Sequence, residues 1–149
     1  MGYTLFAFVG KEPELRTVAG KFKNAKVIML DHGIGIIPMS GDLYDEMNNF
    51  ESADEVENFI YLNSNIQNKI LELVSTGTIG YIEADYSGGH GEQAGIIYKD
   101  GVRDSFSSNR LGAINSVLRR LGVKPSTGQD EFETIGLNKN RSVDDWLAM

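Results

Sequence analysis

The chain has 149 residues and no cysteine, which excludes disulfides, thiolate metal sites and cysteine nucleophiles. Its formal net charge of -7 argues against duplex nucleic acid as a partner, because such binding depends on lysine and arginine displacing counterions. With 41% hydrophobic and 23% charged residues, the composition is typical of a soluble globular protein, and the length fits a single domain over residues 1–149. No apolar run approaches the ~18 residues of a membrane span, and there is no signal-peptide pattern, so we expect no membrane partner and a cytoplasmic location.

The first forty residues predict three strands and one helix. Aromatic and β-branched residues over Tyr3–Val9 predict a strand, and Pro13 stands where an amphipathic helix would begin. The apolar runs 26–31 and 34–39 are joined by His32-Gly33, whose glycine suits the positive φ of a tight hairpin. Because both runs are almost continuously apolar, they predict central strands that are covered on both faces.

The next segment predicts helices. Ser40 precedes a short apolar pattern, and Ser52 to Glu55 forms a capping-box sequence that predicts a further helix. Apolar residues between Ile66 and Val74 recur at helical spacing, and Gly77 marks the end of that helix.

The clearest element is a hairpin formed by Thr78–Tyr86 and Glu92–Lys99 around a glycine-rich turn over residues 87–91. Strand alternation predicts one buried face that contains Ile82, Ala84, Ile96 and Tyr98. The same alternation places Glu83 and Asp85 on the other face, exposed to solvent.

After a turn at Asp100-Gly101, the apolar residues between Leu111 and Leu121 predict the strongest helix in the chain. Capping-box sequences at Thr127 and Ser142 predict two short terminal helices, and Trp146 is expected to hold the last one to the core. The chain therefore predicts an α+β fold. Its mostly antiparallel sheet would have about five strands, two hairpins plus an N-terminal strand, packed with helices.

The charge is localised. No lysine or arginine lies between Lys26 and Lys69, whereas that stretch holds eight carboxylates. Such an asymmetry can steer a basic partner to one face. We predict a binding face for a basic protein, formed by Asp42, Asp45, Glu46, Glu51, Asp54 and Glu57. The alternative is that these carboxylates only stabilise the N-terminal ends of helices.

A second candidate site is the set Glu83, Asp85, His90 and Glu92 at the hairpin. Oxygen and imidazole ligands suit a divalent cation, so a metal-assisted hydrolase is the alternative function. The competing interpretation is that these carboxylates simply face solvent. The glycine-rich turn joins two strands rather than a strand and a helix N-terminus, so it does not predict a phosphate-binding loop, and we expect no cofactor.

Two stretches resemble a known class of proteins. They are Tyr81-Ile-Glu-Ala-Asp-Tyr-Ser-Gly-Gly-His-Gly-Glu-Gln-Ala94 running to Lys99-Asp-Gly101, and Gln129-Asp-Glu-Phe132 followed by Gly136-Leu-Asn-Lys-Asn-Arg141 and Asp145-Trp146. Together they are similar to small uncharacterised bacterial proteins that look like the immunity proteins of polymorphic toxin systems. The resemblance covers the C-terminal half and transfers no catalytic residue. It implies an inhibitory binding role.

Overall fold

A computed structural model describes residues 2–57, 59–87, 90–108 and 112–149, with the backbone alone for residues 87, 90 and 106–108. Within these ranges six strands form one antiparallel sheet in the order β2-β3-β1-β4-β5-β6. The strands are β1 (Tyr3–Lys11), β2 (Ile28–Met29), β3 (Ile34–Pro38), β4 (Thr78–Ser87), β5 (His90–Lys99) and β6 (Val102–Ser108).

The described helices are α1 (Glu12–Ala19), α2 (Gly41–Asn48), α3 (Ser64–Leu73), α4 (Ala113–Arg120), α5 (Glu131–Ile135) and α6 (Val143–Leu147). Two 3₁₀ turns lie at Asp31–Gly33 and Leu137–Lys139. The predicted α+β class and antiparallel sheet are therefore confirmed.

Helices cover both faces of the sheet. One hydrophobic cluster joins a sheet face to apolar residues of α1, α2 and α3, and the other joins the opposite face to α4 and the C-terminal helices. Strand β1 lies between β3 and β4 and contributes Phe6 and Phe8 to the first cluster and Leu5, Ala7 and Val9 to the second. A strand buried on both faces has a nearly continuous apolar sequence, as β1 does.

The sheet differs from the prediction at its two edges. Strand β6 was not predicted, because its sequence over Val102–Ser108 is mostly polar and lacks an apolar alternation. Strand β2 is a two-residue edge strand, not a central strand over residues 26–31. The turn after it has positive φ at both His32 and Gly33, which confirms the predicted conformation of that glycine.

The hairpin is confirmed, but its predicted faces are wrong. Tyr81 pairs with Ile96, so those two residues share one hydrophobic cluster with Tyr98. Ile82 and Ala84 lie in the other cluster. Since helices cover both faces, apolar residues occur at successive strand positions, and the alternation used to assign the faces does not distinguish them.

The helix predicted from the Ser52 to Glu55 capping-box sequence is absent from the described part of the segment. There the chain is irregular, with one isolated bridge between Glu55 and Asn63. The amide of Ser64 donates to the carbonyl of Asp54 at 2.8 Å, and the amide of Val56 donates to the carbonyl of Leu62 at 3.1 Å. These longer-range bonds use backbone groups that a helix would have paired locally.

The other helix starts agree better. Ser40 caps α2 and Ser142 caps α6, each through its side-chain oxygen. The cap of α5 is Asp130, which forms a complete capping box with Glu133, so the predicted start at Thr127 lies three residues too early. Trp146 is fully buried in the core, which confirms the position expected for it.

Helix α4 packs unusually close to the sheet through Val117. A Cβ added to Gly80 would lie 2.6 Å from one methyl of Val117, and a Cβ added to Gly95 would lie 2.5 Å from the other. Two neighbouring strands thus carry glycine where the helix approaches, which is a common use of glycine inside strands.

Candidate functional site

Helix α2 presents the first part of the acidic segment. Its Asp42 and Asp45 line an open groove of about 370 Å³ together with Glu46. The remaining lining residues are Lys23, Asn24, Asn49 and Phe50. We refer to these seven residues as the acidic groove.

Phe50 is the most exposed large apolar side chain of the described residues, with 82% of its surface accessible. Asn49 and Phe50 both have positive φ, at 52° and 60°, directly after α2. The Phe50 amide donates to the carbonyl of Asp45 at 3.0 Å, which fixes this reversal of the chain. The backbone therefore holds the ring outward at the edge of the acidic groove.

Glu46 has a structural role within the groove. Its carboxylate accepts hydrogen bonds from the amides of Lys23 and Asn24, both at 2.9 Å, and from the Asn24 side chain at 3.0 Å. Partial burial raises the pKa of Glu46, but the hydrogen bonds from Asn24 and Lys23 outweigh it and bring the pKa below the ordinary value. Glu46 thus joins α2 to the loop after α1.

The other predicted binding residues divide into two groups. Glu57 forms an ion pair with Arg103 at 2.7 Å, so its charge is compensated. Asp42, Asp45, Glu51 and Asp54 are exposed, and within the described ranges no ion pair or side-chain hydrogen bond is made by their carboxylates. The structure brings Asp42, Asp45 and Glu46 together in one groove and places Glu51 and Asp54 further along the chain.

Glu83 is one of two buried glutamates among the described residues; it is 4% exposed, as is Glu131. It accepts hydrogen bonds from the amides of Ile60 and Tyr61 at 2.6 and 2.9 Å, and from the hydroxyl of Tyr81 at 2.7 Å. Burial is the main cause that raises the pKa of Tyr81 well above its usual value, and the negative charge of Glu83 adds to it. The prediction that Glu83 faces solvent is wrong.

These contacts also bear on the candidate metal site. The oxygens of Glu83 serve the backbone of residues 60 and 61, while Asp85 is exposed and lies opposite Glu92 across the hairpin. The side chain of His90 lies outside the described residues. Within the part of the chain that the structure describes, no group of three or more histidine, aspartate or glutamate side chains could hold a metal ion.

Sequence reasoning missed Phe50 and the role of Glu83. Two asparagines precede Phe50, and asparagine is a residue type that tolerates the left-handed conformation after a helix. That signal indicates the reversal of the chain but not the exposure of the ring. For Glu83 there was no signal, since its amide donors lie more than twenty residues away in sequence.

Comparisons with known proteins add no assignment: no family model, no curated protein and no solved structure matches this chain. In the described ranges, none of the helices combines the length and apolar character needed to cross a membrane.

Proposed function

We propose that this protein is a non-enzymatic binding protein that holds a basic protein partner at the acidic groove, in the manner of an immunity-type inhibitor. The observation that carries the proposal is the exposed ring of Phe50 at the edge of a groove lined by Asp42 and Asp45. Aromatic residues that become buried on association supply much of the binding energy of protein interfaces.

The arrangement suits a partner that offers arginine or lysine beside an apolar contact. Carboxylates can accept hydrogen bonds from a guanidinium group, and an aromatic face attracts the same cation. Lys23, which also lines the groove, would limit how much positive charge enters it. The partner would therefore be held by Phe50 and oriented by Asp42 and Asp45.

The long-range part of the mechanism is electrostatic steering. The groove is lined by three carboxylates, those of Asp42, Asp45 and Glu46, and by one ammonium group, that of Lys23, so its lining keeps a negative formal charge. Complementary charge raises the association rate more than it slows dissociation. Once bound, this protein would cover the partner's functional site and so inhibit that partner.

The test uses two variants of the groove in a capture experiment at low salt. Wild-type protein, Phe50→Ala, and the double variant Asp42→Asn/Asp45→Asn are immobilised and exposed to a bacterial lysate. We expect a basic protein to be retained by wild type and lost from both variants. That protein is then purified, and its association rate is measured against each variant.

Asp144→Asn/Asp145→Asn is the matched control, because it removes the same number of charges from another helix. We expect the groove variant to slow association by about tenfold at low salt, and added salt to remove the difference. The control should associate at the wild-type rate. Equal retention by wild type and both groove variants would contradict the proposal.

A further inference from the structure

A second open groove, of about 400 Å³, has the opposite charge. It is lined by Lys11, His32, Ile34, Leu121, Gly122, Val123 and Lys124, and it shares no residue with the acidic groove. We refer to these seven residues as the basic groove. The lining of this groove contains three basic side chains and no carboxylate. The groove therefore differs in charge from the chain as a whole, whose net charge is -7.

The groove is formed where three elements end. Lys11 is the last residue of β1 and pairs with Ile34 at the start of β3. His32 lies in the turn before β3 and has a φ of 62°, which is a left-handed backbone conformation.

The third side of the basic groove follows the end of α4 at Arg120 and includes Gly122. This glycine has a φ of 96°, and its amide donates to Arg119 while the amide of Val123 donates to Leu118. These are the two hydrogen bonds of a Schellman motif. They satisfy the carbonyls of Leu118 and Arg119 at the C-terminal end of the helix.

Within the described residues, neither Lys11 nor Lys124 makes a side-chain hydrogen bond or ion pair. The nearest carboxylates in sequence are engaged elsewhere: Glu12 pairs with Arg16 at 3.1 Å, and Asp31 lies 3.6 Å from Lys139.

The walls of the groove supply the second half of its chemistry. Ile34, Leu121 and Val123 are buried members of the hydrophobic cluster beneath α4. Each is at most 5% exposed, so an occupant would meet only the small part of these side chains that borders the groove. The volume lies near the lower end of the range for small-molecule sites.

We propose that the basic groove binds a small organic phosphate, with its phosphate held by Lys11 and Lys124 and an apolar body against Ile34, Leu121 and Val123. A phosphate monoester offers two negative charges and several acceptor oxygens to the two ammonium groups. His32 supplies a further hydrogen-bonding group at the rim. This site is independent of the proposed function, since it uses neither Phe50 nor the carboxylates of α2.

The experiment titrates the full chain with phenyl phosphate and follows backbone amide resonances by NMR. We expect the amides of Gly122, Val123 and Lys124 to shift in a saturable way. Phenol and inorganic phosphate, which each carry half of the proposed ligand's chemistry, should both bind more weakly than phenyl phosphate. Lys11→Gln and Lys124→Gln should each weaken phenyl phosphate binding roughly threefold to fivefold.

Lys99→Gln is the matched control, because it removes one exposed lysine that does not line the groove. It should leave the affinity for phenyl phosphate unchanged. The proposal is overturned if no groove amide shifts across the millimolar range, or if Lys99→Gln weakens binding as much as Lys11→Gln. It is equally overturned if phenol or inorganic phosphate alone binds as tightly as phenyl phosphate.

Discussion

Both helical layers pack on the same sheet through a hydrophobic cluster, but their further contacts with the sheet differ. In the N-terminal layer, which comprises α1 to α3 and residues 51–57 and 59–63, the amides of Ile60 and Tyr61 donate to the carboxylate of Glu83 on β4. In the C-terminal layer, which comprises α4 to α6, Val117 is seated over two glycines of the sheet. A segment without regular structure has unpaired backbone groups to satisfy, whereas a helix has paired its own.

The N-terminal layer contains both exposed residues of the proposed binding groove and contacts with a buried carboxylate. Asp42, Asp45 and Phe50 are exposed and contribute little to packing, while Glu83 lies buried under the same layer. A single carboxylate fixes two consecutive amides of the irregular segment. The exposed carboxylates of this part of the molecule and the buried one therefore lie in different environments.

The largest effect should come from removing the buried carboxylate. Glu83→Ala leaves the amides of Ile60 and Tyr61 and the hydroxyl of Tyr81 without an acceptor, and we expect it to cost about 3–5 kcal/mol of unfolding free energy. Urea denaturation measures this. Asp85→Asn, two residues along on the same strand, should have no effect or a small stabilising one, because it relieves the charge opposite Glu92. Equal losses in the two variants would refute the polar attachment.

The next effect tests the apolar attachment of the C-terminal layer. Gly95→Ala places a methyl 2.5 Å from Val117, and we expect a loss of about 1–3 kcal/mol. Truncation of the opposing side chain in Gly95→Ala/Val117→Ala should recover part of this loss, so that the double variant is more stable than the sum of the single changes predicts. A strictly additive double-mutant cycle would show that the two groups do not press on each other.

A smaller effect is expected on the unfolding free energy at acidic pH. Because the pKa of Glu46 is lowered in the folded protein, its contribution is complete above the ordinary glutamate pKa of about 4.3 and is lost as the pH falls through the lower folded value. Glu46→Gln should lose less than about 1 kcal/mol at neutral pH. The difference from wild type, measured by urea unfolding across acidic pH, should shrink as the pH falls. If the stability difference between wild type and Glu46→Gln grew as the pH fell, the pKa of Glu46 would not be lowered by folding.

The smallest effect is expected at Glu57. Its ion pair with Arg103 joins the irregular segment to β6, but both side chains are more than a third exposed. Glu57→Gln should therefore change the unfolding free energy by no more than about 0.5 kcal/mol. A thermal melt that shows a loss comparable to that of Glu83→Ala would mean that surface charge, not the buried carboxylate, fixes this segment.

Local sequence signals predicted what depends on neighbouring residues. Short-range patterns predicted the cap at Ser40, the existence of the β4–β5 hairpin and helix α4, which is followed by Gly122. The faces of the hairpin did not follow, because both faces of the sheet are covered and both are apolar. The capping-box sequence at Ser52 failed since the bridge between Glu55 and Asn63 uses the backbone differently.

The candidate sites were predicted only in part. The charge of the acidic segment pointed to Asp42 and Asp45, which do line a groove, but it did not distinguish them from Glu46 and Glu57, which have structural partners. The basic groove gave no sequence signal, because Lys11, His32 and Lys124 come from distant parts of the chain. A site whose residues come from distant parts of the chain cannot be predicted from sequence spacing alone.

The central place of β1 has a consequence for how the chain reaches this fold. Its Tyr3 pairs with Tyr86, and its Ala7 pairs with both Pro38 and Ile82. During synthesis β1 leaves the ribosome well before β4, and it gains its second neighbour only after β4 has followed. Until then one edge of an apolar strand has no partner within the sheet. Closing so long a loop slows folding and exposes that edge to other chains, so β1 is where we expect association of incomplete chains to begin.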